Sequence, residues 1–149
     1  MISCTQFIPA YSEGFKYLEK RGGKKEVYDF WAYLSDHYLK DSLQKQAVEK
    51  GLRGCFDYWE KALNEEAADF TMTLDEDEGI FEIAMHHCPS RGMLNELTYM
   101  ETYEDYCEHC EALYDRVLKP LGMRFKMDLS EVEQAKCVAT VKKENMRRD

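Results

Sequence analysis

The sequence predicts an α+β domain in which N-terminal helices pack on an antiparallel sheet of β-β-α-β-β order. Apolar residues recur at three- and four-residue steps through the first half, whereas they alternate with polar residues in four segments of the second half. One long helical pattern separates the second of those segments from the third. Helices layered on one face of an antiparallel sheet are the simplest arrangement for this order.

The chain is predicted to form a single domain over residues 1–149. Its length is the commonest for one domain, and its three Pro and eight Gly form no interdomain linker. The expected organisation is a helical part at residues 1–68, followed by the sheet and the long helix at residues 69–141.

The helices of the first half are predicted from their apolar period and their stop signals. A short amphipathic segment at residues 11–18 ends before a Gly-Gly pair, and residues 26–38 carry apolar side chains at the helical step. A further helix ends at Gly51, a residue type favoured just after a helix. Another helix is predicted over residues 52–66.

Four strands are predicted from strict alternation, at residues 70–74, 80–85, 123–128 and 135–141. An acidic turn joins the first two as a hairpin. Pro89 cannot donate to a strand ladder, so the second strand ends before it. A short helix is then expected at residues 91–97 and the long helix at residues 102–118.

Charge and composition restrict the partners and the compartment. The net charge of −9 argues against nucleic-acid and anionic-membrane surfaces, because phosphates require clustered Lys and Arg. We see no signal peptide and no apolar stretch near the ~18 residues of a membrane span, so a cytoplasmic protein is expected. Its six cysteines are then interpreted as thiols, ligands or redox groups rather than structural disulfides.

The long helix carries a C-x-x-C pair, Cys107 and Cys110, on the apolar face that we expect to meet the sheet. His109 and Glu108 are expected to point elsewhere. Such a pair binds a metal with two thiolates or cycles between dithiol and disulfide. The alternative is that both cysteines are small apolar core residues.

The end of the second strand carries His87 and Cys88. Alternation places His87 on the face towards the helices, and Cys88 lies where the chain turns at Pro89. If they lie beside the helix cysteines, then His87, Cys88, Cys107 and Cys110 form a four-ligand site for a divalent metal, zinc or iron. Otherwise the histidines are surface or capping residues. Cys137 on the last strand either lines the same cavity or fills the core.

The second half resembles the L-2-amino-thiazoline-4-carboxylic acid hydrolase-like family and, more distantly, the 4-vinyl reductase ligand-binding domain. The resemblance covers residues 69–141. Its motifs are the strand ending at Cys88, the Tyr106-Cys107-Glu108-His109-Cys110 stretch, the Leu118-Lys119-Pro120-Leu121-Gly122 stretch and Cys137. It implies a small-molecule pocket between sheet and helix, with Cys88, Cys107 and Cys137 at the family's cysteine positions. It also implies hydrolytic opening of a thiazoline ring, and in the distant relatives a metal held by cysteines.

Three interpretations follow. The first is a hydrolase acting on the C–N or C–S bonds of a cyclic amidine, with Cys107 or Cys110 as nucleophile and His87 as proton shuttle, or with a metal-bound hydroxide. The second is a domain that binds a small-molecule ligand or metal and senses it without turnover. The third is a scaffold, or a module through which the protein forms a homodimer. In that case the cysteines only fill the core.

Overall fold

The first half of the chain folds into helices, as predicted. The computed structural model describes residues 4–144, with side chains from residue 6 onward. The helices are α1 (Cys4–Gly22), α2 (Lys24–Leu34), α3 (Lys45–Lys50) and α4 (Leu52–Glu65), and a π-helical stretch at Ser35–Gln44 joins α2 to α3. The first helix starts earlier than the predicted residue 11: it includes Pro9, and within it Phe7 stacks on Tyr11 with ring centroids 5.5 Å apart.

The second half supplies the sheet and two more helices. In chain order these are β1 (Asp69–Asp75), β2 (Ile80–His87), α5 (Pro89–Glu96), α6 (Glu108–Leu118), β3 (Met123–Asp128) and β4 (Cys137–Lys143). The four strands form one antiparallel sheet in the order β1-β2-β4-β3. The predicted α+β class, with N-terminal helices on an antiparallel sheet, is confirmed.

The long helix is shorter than predicted, because α6 begins at Glu108 rather than at residue 102. The preceding backbone makes i→i+3 turns: the Tyr106 N–H donates to the Tyr103 carbonyl at 3.0 Å. The Tyr103 N–H donates instead to the buried Ser12 hydroxyl of α1, at 2.9 Å. This bond to a distant residue holds the segment out of the helical path that its apolar period indicates.

The last strand begins two residues later than predicted. Ala135 adopts the left-handed conformation, with φ of 56°, and ends a short 3₁₀ turn at Val132–Gln134, so it lies outside β4. Its carbonyl accepts a hydrogen bond from the Cys88 N–H at 2.8 Å. The backbone after β2 is therefore tied to the backbone that leads into β4.

The sheet buries one face and exposes the other. Phe81 of β2, Phe125 of β3 and Val141 of β4 lie on the inner face and are buried. Trp59 of α4 stacks on Phe125 with ring centroids 5.6 Å apart. The outer face carries polar side chains, among them His86, whose Nε2 is 2.7 Å from the Thr71 hydroxyl. Within residues 4–144, no helix combines the length and apolar character needed to cross a membrane.

Candidate functional site

Four cysteines from three parts of the fold share one region, which we call the cysteine cluster: Cys88, Cys107, Cys110 and Cys137. Cys88 is the cap of α5, where its sulfur accepts the Arg91 N–H at 3.5 Å. Cys107 immediately precedes α6 and Cys110 lies in its first turn, while Cys137 begins β4. The four thiols lie close enough for charge on one to act on the ionisation of another.

The backbone explains why the strand cysteines meet. Cys137 pairs with Met85 of β2, so it lies two strand positions from the His87 end. The Cys88–Ala135 hydrogen bond then brings the turn after β2 back beside the start of β4. The sheet and the α5 cap therefore position Cys88 and Cys137, and α6 supplies the remaining two thiols.

The thiols of the cluster are protonated at neutral pH. Burial raises the pKa of Cys107, Cys110 and Cys137 to about 12, and it also raises the pKa of Cys88. Repulsion between neighbouring thiolates adds to the rise in Cys107 and Cys137. Arg91 opposes it at Cys107, because the guanidinium hydrogen-bonds and attracts the thiolate. Of these four cysteines, Cys107 is the one whose thiol interacts with the guanidinium of Arg91.

His87, the predicted fourth ligand and proton shuttle, lies beside Gly92 of α5. Its side chain is exposed and its ring lies over α5, where a Cβ added to Gly92 would be 2.5 Å from Nε2. Among the residues that the structure describes, no hydrogen bond or ion pair joins His87 to a cysteine. The structure thus brings Cys88, Cys107 and Cys110 together, and the metal-binding role of His87 stays a prediction.

The described part of the chain, residues 4–144, holds no three His, Cys, Asp or Glu side chains arranged as a metal-binding group. The thiols are neighbours, but they do not present donors in the geometry of a closed zinc or iron site. The metal site therefore stays a prediction.

The structure places His109 against the helices of the first half. Its ring packs against Tyr11, with centroids 5.6 Å apart, and against Phe15 at 6.0 Å. The helical period shows only that His109 is off the sheet-facing stripe of α6. The helices α1 and α2 cover that second side and leave the imidazole half-buried.

His109 and Cys110 form a hydrogen-bonded pair. The Nδ1–H of His109 donates to the Tyr106 carbonyl, which fixes the tautomer because a carbonyl only accepts. The other nitrogen, Nε2, lies 3.6 Å from Cys110 Sγ and accepts the thiol proton. Burial lowers the pKa of His109, so the imidazole is neutral and its Nε2 keeps the lone pair that accepts the thiol hydrogen.

The arrangement has the parts of an activated nucleophile: a thiol, a base and a group that orients the base. The sequence signal for this pair is its spacing. His109 follows Tyr106 by three residues, within reach of the Tyr106 carbonyl on a helical turn, and Cys110 comes directly after it. Tyr106 is itself held by the Ser90 hydroxyl, 2.7 Å from its own, which links α5 to the start of α6.

A surface groove of about 590 Å³ lies elsewhere, on the side of α6 away from the cysteines. Most of its charged side chains are already paired: Asp115 accepts both arms of Arg124, and Glu108 accepts the Tyr28 hydroxyl at 2.7 Å. Because these groups are satisfied within the protein, we take the cysteine cluster and not this groove as the candidate site.

Comparison of the chain with family models, with curated proteins and with solved structures finds no match. The resemblance noted from the sequence remains a prediction, and the candidate site depends on the chain's own geometry.

Proposed function

We propose that this protein binds a small sulfur- and nitrogen-containing ring compound at the cysteine cluster and opens the ring by hydrolysis. The observation that carries the proposal is the Cys110–His109 pair, with Sγ and Nε2 3.6 Å apart and the imidazole oriented by the Tyr106 carbonyl. The resemblance to the thiazoline hydrolase-like family supports the substrate class. We assign the nucleophile to Cys110 and the base to His109, in place of Cys107 and His87.

The neutral thiol is compatible with this role if proton transfer accompanies attack. As Cys110 Sγ bonds to the ring carbon between sulfur and nitrogen, its proton moves to His109 Nε2. The ring C–S bond then breaks, and the departing sulfur takes that proton and becomes a free thiol. Water attacks the carbon held on Cys110, the bond to Sγ breaks, and the cysteine regains its proton.

Turnover of L-2-amino-thiazoline-4-carboxylate, followed by mass detection of the ring-opened thiol, tests the proposal directly. Cys110→Ser and His109→Gln should each lower the rate by about 10²–10⁴, the range for a lost nucleophile or base. Cys55→Ala, which removes a buried thiol of α4 outside the cluster, is the matched control and should retain the rate. Equal rates in Cys110→Ser and in the unmodified protein would exclude the assigned nucleophile.

A second function, ligand binding without turnover, is favoured by the raised pKa of the cluster thiols. A thiol with a pKa near 12 is a poor free nucleophile at neutral pH, but it packs well against an apolar ring. In that case calorimetry should detect binding of the same ring compound, the compound should be recovered intact, and Cys110→Ser should bind it with unchanged affinity.

A further inference from the structure

Arg91 differs from two other arginines of the protein in what its guanidinium meets. Arg116 donates to both oxygens of Asp36, at 3.1 and 2.9 Å, and Arg124 donates to both oxygens of Asp115, at 3.0 and 2.9 Å. Each is a bidentate pair, the geometry in which a guanidinium binds a carboxylate most strongly. Arg91 has no such carboxylate among the described residues.

The one carboxylate near Arg91 in the described part of the chain is a weak partner. Glu133 Oε1 lies 3.4 Å from Nη2, and the Glu133 side chain is 87% exposed. The Arg91 side chain is only 12% exposed, and its Nε is buried with no hydrogen-bond partner in the described part of the chain. A buried donor without a partner is costly, so its presence calls for an explanation.

The position of the Arg91 guanidinium explains why its Nε lacks a partner within the described residues. The Arg91 backbone N–H is bound to Cys88 Sγ at the cap of α5, and its side chain reaches Cys107. A cation of five donors in a planar fork thus lies at the edge of the cysteine cluster, in a chain whose net charge is −9. The region around it is the part of the protein where we place the ring compound.

We propose that Arg91 binds a carboxylate of the ligand and so makes the site specific for anionic ring compounds. This inference rests on the proposed function for the identity of the ring, but not for the anion site itself. The ligand carboxylate accepts two hydrogen bonds from the Arg91 guanidinium. Asp36 does the same for Arg116, and Asp115 for Arg124. It also orients the ring, because a bidentate pair fixes the plane of the carboxylate relative to the cysteines.

A pair of alkylating reagents tests the anion site without any substrate. Iodoacetate and iodoacetamide form the same S–CH₂ bond with release of iodide and of the thiol proton, but only iodoacetate carries a carboxylate. Peptide mass mapping gives the rate of each at Cys107. The ratio of the iodoacetate rate to the iodoacetamide rate should be about tenfold higher in the unmodified protein than in Arg91→Gln.

Arg53→Gln is the charge-matched control, because Arg53 lies on α4 with an exposed side chain, and it should keep the ratio of the unmodified protein. A ratio that persists in Arg91→Gln, or that is low already in the unmodified protein, overturns the proposal. Failure of both reagents to label Cys107 also overturns it, since an anion site beside that thiol must be reachable.

The ring compounds provide a second measurement, which needs no variant. The unmodified protein should bind L-2-amino-thiazoline-4-carboxylate about tenfold more tightly than 2-amino-2-thiazoline, the same ring without the carboxylate. Equal affinities for the two contradict the carboxylate role of Arg91. If the protein binds neither ring, the proposed function fails, and the alkylation ratio still decides whether Arg91 is an anion site.

Discussion

The two ends of the inner sheet face have the same sequence pattern and different structures. At one end, Phe81 and Phe125 are fully buried and meet Trp59 of α4, with ring centroids 6.0 and 5.6 Å from it. At the other end, Met85 and Cys137 are only half-buried, and the cysteine cluster lies beside them. We call these the core end and the sulfur end.

The difference shows that alternation along a strand selects the inward residues but does not determine how completely they are covered. Trp59 fills the space over the core end with a large aromatic ring. At the sulfur end the covering residues are smaller thiols, and the guanidinium of Arg91 lies beside Cys107. We place the proposed ligand at the sulfur end because the sheet face is only partly covered there.

The largest expected effect tests this difference in packing. Phe81→Ala should lower the free energy of unfolding by about 3–5 kcal/mol, the usual cost of removing a fully buried aromatic ring. Met85→Ala, on the same strand and face, should cost less than half as much because its side chain is half-buried. Urea unfolding of both variants measures the comparison, and equal losses would mean that the two ends are packed alike.

The next effect concerns alkaline pH. Burial raises the pKa of Cys137 to about 12, so the folded protein retains a proton that the unfolded chain loses near its ordinary thiol pKa. This retained proton stabilises the folded state. The stabilisation is fully present below the ordinary thiol pKa and is lost as the pH rises towards 12. Urea unfolding under reducing conditions should therefore show stability falling above pH 9. Cys137→Ala should reduce the slope by up to about 1.4 kcal/mol per pH unit. A slope identical in the variant would show that the thiol is solvated.

The smallest effect is expected at the exposed histidine beside the sulfur end. His87→Ala should change the unfolding free energy by no more than about 0.5 kcal/mol, as for a surface substitution. Ring opening should also persist, because the base that we assign is His109. A loss of turnover in His87→Ala as large as that in His109→Gln would restore His87 to the role that the sequence suggested.

Much of the fold could be predicted because its signals are local. The alternation of Phe81 with Glu82 along β2 depends only on the two-residue strand period, and the structure buries the one and exposes the other. The closeness of Cys107 and Cys110 follows in the same way from their three-residue spacing. The candidate site was predicted in part: the structure brings Cys88 beside these two.

The sequence alone therefore determined the class of fold, the buried faces of the strands and the thiols available to a site. Tertiary structure decided the start of α6, through the bond from Tyr103 to Ser12, and the burial of His109 under α1 and α2. It also decided that Arg91 should lie beside Cys107 with no bidentate carboxylate partner among residues 4–144. The physical reason is that periodicity reports which residues share a face, whereas burial, pKa and hydrogen bonding depend on what distant segments bring to that face.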